Sequence, residues 1–313
     1  LDTALTDNLT LVTGVRWENR ETDYSDNNGV SFEPDDDMWG GKLALEYDWG
    51  DSTLVYGSVS RGYRAQGVNA SILASIEATD DPDVIADLNT VSTYDEETLI
   101  NYELGIKSRL LDNRLNARVA IFSMDREDQQ VRGSFLIPQE GGATTFVDYT
   151  SNAAEGENLG AELELSWLAT ENLQLWSNLG WLDTEFDEYV NVFEEDLAGR
   201  DQAHAPKYTY SVGGRYDFPL DIFLRVELEG KDEFYFSDRH NEQSDAYDLL
   251  NATIGIERQH WTLSLWGRNL TDEDYYVRGF GSFGNDPRKG YITEPYYQFG
   301  EPRMVGVTAS YTF

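Results

Sequence analysis

The sequence predicts an all-β protein: an antiparallel transmembrane β-barrel wall of about twelve strands. Apolar and polar residues alternate in segment after segment of the 313 residues, and the side chains of a strand point to opposite faces with a period of two. The connections alternate between tight turns and long acidic loops, as they do at the two ends of an outer-membrane barrel. No apolar run approaches the ~18 residues that a membrane helix needs.

Twelve segments carry the alternation, and residues 208–218 show it clearly. There Tyr208 and Tyr210 face one way, while Thr209 and Ser211 face the other. The same period predicts strands at residues 9–18, 42–49, 53–63, 101–107, 115–121, 159–167, 173–181, 208–218, 222–229, 250–257, 261–266 and 305–313.

Two kinds of connection join these strands. Short ones are rich in Gly, Asn, Asp and Pro, which favour tight turns. Long ones are polar and acidic, which is typical of external loops. Tight turns are predicted at residues 6–8, 50–52, 110–113, 169–172, 219–221 and 259–260, and long loops at about 21–37, 64–93, 137–142 and 184–201.

The alternation also assigns a lipid-facing and a lumen-facing side to each strand. A polar lumen requires many strands, and a soluble antiparallel sheet would not explain the asymmetry of the connections. Lipid is the expected surrounding of Leu163, Leu224, Leu263 and Val307, and the lumen that of Glu164, Arg225, Ser264 and Thr308.

Several motifs together resemble the C-terminal barrel of TonB-dependent outer-membrane receptors. Residues 266–276 read Trp-Gly-Arg-Asn-Leu-Thr-Asp-Glu-Asp-Tyr-Tyr, and an alternating strand follows that ends in Phe313. Residues 60–69 read Ser-Arg-Gly-Tyr-Arg-Ala-Gln-Gly-Val-Asn and resemble the strand that leads into a large external loop. Further matches in the same order are residues 94–98, 101–107 and 112–115.

The resemblance implies a barrel of about 22 strands closed around a plug. Residues 1–5 read as the end of a cut strand, so we expect residues 1–313 to be the C-terminal portion of a longer precursor. The plug domain and the N-terminal strands would then lie outside this sequence. By resemblance, the whole receptor takes up a ferric siderophore complex across the bacterial outer membrane. The TonB-ExbB-ExbD system would energise it through the N-terminal part.

Other functions remain open at this stage. Within the same family, the nutrient could be an oligosaccharide or a vitamin. Outside it, the chain could be a passive porin or a structural or adhesive barrel. A plug and a TonB box encoded upstream would distinguish a transporter from both of these, and iron-repressed expression would distinguish siderophore uptake from sugar uptake.

Enzymatic and nucleic-acid-binding functions find no support. The 58 acidic and 23 basic residues give a net charge of −35, which repels nucleic acid. No G-x-S-x-G elbow is present, the three histidines lack a metal-binding spacing, and cysteine is absent. The G-x-G-x-x-G match at 279–284 lacks the strand and helix of a dinucleotide site, so we interpret it as loop. We therefore predict no catalytic residue, metal site or cofactor.

Candidate ligand-binding residues follow from position in the predicted external loops and upper wall. Arginine can clamp carboxylate or catecholate oxygens, and aromatic rings can pack on a flat ligand. The candidates are Arg61, Tyr63, Arg64, Gln66, Asn69, Arg132, Tyr189, Tyr235, Arg239 and His240. By resemblance, Tyr311 and Phe313 form the assembly signal that the barrel-insertion machinery of the outer membrane reads.

Overall fold

Thirteen strands form one antiparallel sheet in which each strand pairs with the strands before and after it in sequence. This computed structural model describes residues 1–25, 31–32, 35–138, 144–191, 195–238, 240–283, 287–289 and 294–313. The strands are β1 (Asp2–Ala4), β2 (Leu9–Glu21), β3 (Asp35–Trp49), β4 (Thr53–Arg64), β5 (Glu97–Leu110), β6 (Leu115–Pro138), β7 (Thr144–Thr170), β8 (Leu173–Tyr189), β9 (Tyr208–Phe218), β10 (Ile222–Lys231), β11 (Tyr247–Glu257), β12 (Trp261–Arg268) and β13 (Met304–Tyr311). The predicted antiparallel all-β fold is confirmed, with one short strand, β1, beyond the twelve predicted.

Smaller elements occupy the long connections. Two helices, α1 (Ala70–Glu77) and α2 (Pro82–Asn89), lie between β4 and β5. Asp81 caps α2 by accepting a hydrogen bond from the backbone N–H of Asp83, and Pro82 fits the first turn because it needs no N–H partner there. The remaining elements are the pairs Tyr24–Ser25 with Ser31–Phe32, Gly67–Val68 with Thr93–Tyr94, Phe234–Tyr235 with Gln243–Ser244 and Tyr276–Phe283 with Glu294–Phe299, and 3₁₀ turns at Pro219–Asp221 and Pro287–Lys289.

The strand register separates an apolar face from a polar face. Leu224 of β10 lies in one row with Ile254, Leu265 and Val307 across β11, β12 and β13. Arg225, Ser264 and Thr308 line a common cavity on the other face. The prediction that these two sets lie on opposite faces is confirmed. Large apolar side chains remain exposed on the first face, where Val307 keeps 67% of its surface, as expected of a surface that contacts lipid.

Aromatic rings on the polar face lie over glycines of the neighbouring strand. In each case the ring and the glycine are direct register partners, and a β-carbon on the glycine would collide with the ring. The polar face is therefore lined by flat rings that fill the space above the glycines. The pairs are Tyr56 with Gly105, Phe122 with Gly160, Trp176 with Gly213, Phe223 with Gly255 and Trp266 with Gly306.

The buried core lies in the long connections and the adjoining strand ends. One cluster joins β6, β7 and β8 to the segment after β8 through Val131, Ala154, Phe186, Tyr189 and Leu197. A second cluster packs α1 and α2 on β7 through Ile72, Leu88, Val147 and Tyr149. Within the described residues, both clusters of buried apolar side chains therefore lie in these outer segments rather than in the middle of the wall.

Two of the predicted long loops are wrong in extent. The predicted loop at 64–93 contains two helices, and the loop at 184–201 is shortened because β8 continues to Tyr189. The predicted loop at 137–142 overlaps β6 only at Ile137 and Pro138, and its other residues lie outside the described part of the chain. The predicted loop at 279–284 includes the end of the strand Tyr276–Phe283. Bulges between Arg126 and Gln129 and between Glu155 and Gly156 interrupt the alternation, so the outer parts of these strands lack the two-residue period although their backbones stay paired.

Candidate functional site

The loop end of the sheet is the end at which β2–β3, β4–β5, β6–β7, β8–β9, β10–β11 and β12–β13 are joined. Every long connection emerges there, whereas tight turns join the strands at the opposite end. The predicted ligand-binding residues all belong to these connections or to the strand ends next to them. The loop end is therefore the candidate site.

Arg61 and Tyr63, at the end of β4, contact acidic and aromatic side chains. The Arg61 guanidinium lies 4.5 Å from the centroid of the Trp39 ring and 3.5 Å from a carboxylate oxygen of Glu96. The Tyr63 hydroxyl donates a hydrogen bond of 3.0 Å to Glu18. Both side chains are thus engaged in holding neighbouring strands and the β4–β5 connection together.

Arg64 and Gln66 continue the same segment. Arg64 lies 4.0 Å from Glu97, and its side chain keeps 61% of its surface exposed. Glu97 is buried and already pairs with Arg126. The Arg64 guanidinium is therefore more accessible to a ligand than that of Arg126. The backbone N–H of Gln66 donates a hydrogen bond of 3.0 Å to Asp36, which fixes this residue against β3.

Asn69 takes part in a reciprocal amide latch between the β4–β5 connection and β7. Its side chain donates to the carbonyl of Thr150 at 2.6 Å and accepts from the N–H of Thr150 at 2.9 Å. In return, the side chain of Asn152 donates to the carbonyl of Asp95 at 2.9 Å and accepts from its N–H at 2.6 Å. Asn69 is only 8% exposed, so its side chain is committed to this latch.

Three further candidates lie elsewhere at the loop end. Arg132 of β6 lies opposite Thr150 of β7. Its side chain is exposed and forms no ion pair within the described part of the chain. Tyr189 is 4% exposed and its ring centroid lies 4.8 Å from that of Phe186, so a ligand reaches it only if the cluster opens. Arg239 lies outside the described residues.

Tyr235 and His240 surround an arginine that the sequence analysis did not select. The guanidinium of Arg200 lies 3.9 Å from the centroid of the Tyr235 ring. One terminal nitrogen, Nη2, donates to the carbonyls of Ser237 and His240 at 2.9 and 2.7 Å. The structure thus brings together Arg61, Tyr63, Arg64, Gln66 and Asn69 around the β4–β5 connection, and Tyr235 and His240 around Arg200, whereas Arg132 and Tyr189 belong to neither group.

An aromatic stack forms the third feature of the loop end. Tyr297 stacks on Tyr276 with ring centroids 4.4 Å apart, and its ring also lies 6.2 Å from Phe236. The Tyr297 hydroxyl donates a hydrogen bond to Glu242. This bond to a carboxylate, with burial adding to it, raises the pKa of Tyr297 to about 12 because ionisation would lose the bond and place two negative charges together.

The polar face itself carries a cavity of about 640 Å³ near its carboxyl-terminal strands. Arg225 and Glu227 of β10 line it and form an ion pair of 2.7 Å. Trp266 and Arg268 of β12 line it as well, with the guanidinium 5.6 Å from the ring centroid. Arg225 and Arg268 each have a carboxylate or aromatic partner, so paired charges and aromatic rings line the cavity.

The final strand presents its aromatic residues outward. Tyr311 and Phe313 are strongly exposed, with ring centroids 5.2 Å apart. His260, in the turn before β12, accepts a backbone hydrogen bond from Thr312 through its carbonyl. These positions are compatible with the predicted assembly role, which stays a prediction.

The described residues offer neither a metal centre nor a membrane-spanning helix. Among them, no three His, Cys, Asp or Glu side chains are grouped so that they could hold a metal ion. No helix in the described ranges is long and apolar enough to cross a membrane.

Comparison with known families decides the identity of the wall. Residues 1–270 match the family model described as "TonB dependent receptor-like, beta-barrel". The chain belongs to this family. Its members are transport receptors of the Gram-negative outer membrane, which fits the apolar band and the polar face of the sheet.

Similar curated proteins are bacterial receptors for metal complexes. A ferric-pyoverdine 358 receptor of Pseudomonas putida is 27% identical over 99% of this chain and 34% of its own length. The metal-pseudopaline receptor CntO of Pseudomonas aeruginosa is 26% identical over 60% of this chain and 26% of its own length. The chain therefore spans about a third or less of the length of these relatives.

Solved structures support the barrel fold. The ferric yersiniabactin uptake receptor FyuA of Yersinia pestis superposes with a TM-score of 0.72 at 21% identity, over 99% of this chain and 44% of that one. The ferripyoverdine receptor of the outer membrane of Pseudomonas aeruginosa gives a TM-score of 0.64 at 17% identity, over 99% and 37%. The thirteen-strand sheet thus superposes on part of the larger barrel in each of these two structures.

Arg200 is the residue of interest that sequence reasoning missed in this receptor wall. It lies in a connection without alternation, and no motif marks it. The one available signal is charge: fifteen Asp and Glu residues lie between Arg132 and Lys207, and Arg200 is the only Arg or Lys among them.

Proposed function

We propose that this chain is the C-terminal barrel portion of an outer-membrane receptor that imports ferric siderophore complexes by TonB-dependent transport. The observation that carries the proposal is a wall of thirteen strands with one apolar and one polar face, matched by the receptor family model over residues 1–270. Relatives named as ferric-pyoverdine receptors support iron as the cargo.

The transport cycle divides between this wall and the rest of the receptor. The loop end captures the complex, and the polar face surrounds the plug, which we place in the part of the protein outside this chain. The TonB-ExbB-ExbD system acts on that other part and frees a path along the polar face. The wall has no catalytic role in this scheme, because capture and release need binding groups and no bond-making residue.

Assembly depends on the last strand. In the proposed scheme, Tyr311 and Phe313 are recognised by the barrel-insertion machinery before the apolar face meets lipid. Their outward exposure supports this role, since a recognition signal must be accessible before the barrel closes.

A deletion strain tests the proposal. Deleting the gene for the full-length receptor should stop growth on one class of ferric siderophore under iron limitation, and a plasmid copy should restore it. Uptake of radioactive iron should require TonB, whereas binding of the complex to cells should not. Unchanged iron uptake with every ferric complex tested would contradict the proposal.

A second candidate is uptake of another metal complex, favoured by the likeness to the metal-pseudopaline receptor. The same strains distinguish the two. A deletion strain that fails to grow on zinc, nickel or cobalt complexes, but still grows on ferric complexes, would identify this second function.

A further inference from the structure

Two tight turns at the turn end of the sheet, opposite the loop end, each hold a leucine in the left-handed region of backbone space. Leu111, between β5 and β6, has a φ of 56°, and Leu220, between β9 and β10, has a φ of 72°. Glycine, asparagine and aspartate adopt this region readily, whereas a bulky side chain there is an outlier. Single exposed leucines are ordinary on protein surfaces, but these two oppose the local preference of the backbone. Asparagine would form the same turns more easily, so turn formation alone does not account for leucine.

Packing within the chain does not compensate the two leucines either. Leu111 keeps 51% of its surface exposed and Leu220 keeps 76%. Apolar side chains gain stability by leaving water, and both residues lack most of that gain in the isolated wall. The compensation must therefore come from a surface outside this chain.

The apolar face of the sheet leads directly to both turns. Leu110, next to the first leucine, pairs in register with Leu115, which pairs with Trp167. At the other turn, Phe218 pairs with Ile222 on the two sides of the tip. These residues belong to the face that contacts lipid, so the two leucines extend that face beyond the last strand pairs. Continuity with the lipid-facing surface favours lipid over a protein as the partner of the turns.

An arginine lies beside each leucine. Nε of Arg114 donates a hydrogen bond of 3.3 Å to the carbonyl of Leu111, and Nη2 of Arg258 donates one of 3.4 Å to the carbonyl of Leu220. An apolar side chain next to a cation suits the boundary of a bilayer, where acyl chains meet phosphate groups.

The charge around the first turn fits the same boundary. Residues 107–118 contain four Lys and Arg residues and a single Asp, in a chain whose net charge is −35. Arg114 is exposed and forms no ion pair within the described part of the chain. Basic residues near a membrane surface are attracted to anionic headgroups, so this local excess of positive charge complements a phospholipid leaflet.

We propose that Leu111 and Leu220 insert into the phospholipid leaflet at the turn end of the barrel. Insertion removes both side chains from water and offsets the cost of their left-handed backbone. Four strand spacings separate the two turns along the sheet, about 19 Å at ~4.8 Å for each spacing, so they anchor two separate points of the rim. This inference goes beyond nutrient uptake, because it concerns the depth of the wall in the membrane and holds for any cargo.

The first test places a fluorophore at the turns of the full-length receptor. Leu111→Cys, Leu220→Cys and Glu171→Cys, with any cysteine outside residues 1–313 replaced by serine, are labelled with nitrobenzoxadiazole. Each is reconstituted in vesicles of phosphatidylethanolamine and phosphatidylglycerol. Glu171 is the matched control, because it is exposed in the β7–β8 turn, which lies between the other two turns on the same rim. Fluorescence is quenched separately by phospholipid spin-labelled in its acyl chains and by iodide in water.

The fluorophores at positions 111 and 220 should emit at shorter wavelength than the one at 171. The spin-labelled lipid should quench these two more strongly than iodide does, and the order should be reversed at 171. Iodide quenching that is equal at all three positions would place the turns in water and overturn the inference. Protection from both quenchers at 111 and 220 would indicate burial against protein and would overturn it as well.

A second measurement needs no fluorophore. The double variant Leu111→Asn with Leu220→Asn suits the left-handed backbone better than wild type, so a purely local effect would raise its stability. Loss of insertion should instead lower its urea midpoint in the same vesicles, while Glu171→Asn should leave the midpoint unchanged. A double variant as stable as wild type, or more stable, would refute insertion of the leucines.

Discussion

The glycine–aromatic pairs of the polar face allow a quantitative prediction at Gly160 of β7. A β-carbon added there would lie 2.3 Å from Cζ of Phe122, its register partner in β6, and the three nearest heavy atoms all belong to that ring. Ordinary contacts between carbon atoms begin near ~3.5 Å. Gly160→Ala therefore forces the Phe122 ring to move by more than ~1 Å.

The expected cost combines two opposing terms. Overpacking of this kind destabilises by about 1–3 kcal/mol, whereas removing a glycine from a strand recovers about 0.5–1 kcal/mol. The net destabilisation should therefore lie between about 0 and 2.5 kcal/mol. Gly14→Ala in β2 is the matched control, because a β-carbon there meets nothing within 4 Å. This variant should show only the gain in stability that comes from removing a glycine from a strand.

Urea unfolding of the full-length receptor in detergent, followed by gel mobility of the folded barrel, would measure both variants. Gly160→Ala should lower the midpoint, and Gly14→Ala should leave it unchanged or raise it. Adding Phe122→Ala to Gly160→Ala should remove most of the steric penalty, since the two residues are coupled. If Gly160→Ala proves as stable as Gly14→Ala, the rings do not fill the space above the glycines.

Four further outcomes are expected. Leu163→Arg on the apolar face should destabilise the receptor by about 2–4 kcal/mol in lipid, whereas Asn178→Arg on the polar face should be tolerated, as measured by unfolding in vesicles. The Tyr297–Glu242 bond should persist below pH 10, the ordinary pKa of tyrosine. Its contribution to stability should be lost as the pH rises through about 12, and an ultraviolet titration that Tyr297→Phe leaves unchanged would contradict this. Deleting Phe313 should lower the amount of receptor in outer-membrane fractions, and equal amounts on immunoblots would refute an assembly role. This chain expressed alone behind a signal peptide should show no energy-dependent iron uptake, because the open wall lacks a plug, and such uptake in a receptor-deficient strain would refute the division of roles.

Sequence patterns predicted the membrane-embedded part of the wall well, because burial in lipid imposes a strict two-residue period. Residues 208–218 were predicted as a strand and form β9 with the same bounds. The period fails at the loop end, where a strand no longer has one face in lipid. Thus β6 and β7 were predicted to be far shorter than they are.

The helices and Arg200 were missed for different reasons. Asp81 and Pro82 do form a recognisable helix start, but the helix that follows spans only eight residues, from Pro82 to Asn89. Arg200 has no local signature at all, since its surroundings come from Tyr235, Ser237 and His240, more than thirty positions away in sequence. A site assembled from separate loops is visible only in three dimensions.

The amide latch between the β4–β5 connection and β7 has a mechanical consequence. Asn69 and Asn152 each hold the backbone of the opposite segment, and the cluster around Ile72 and Val147 lies beside them. The helix pair is thereby fastened to the tall β6–β7 hairpin. Because these contacts join the two segments, we expect α1 and α2 to move together with that hairpin rather than separately from it.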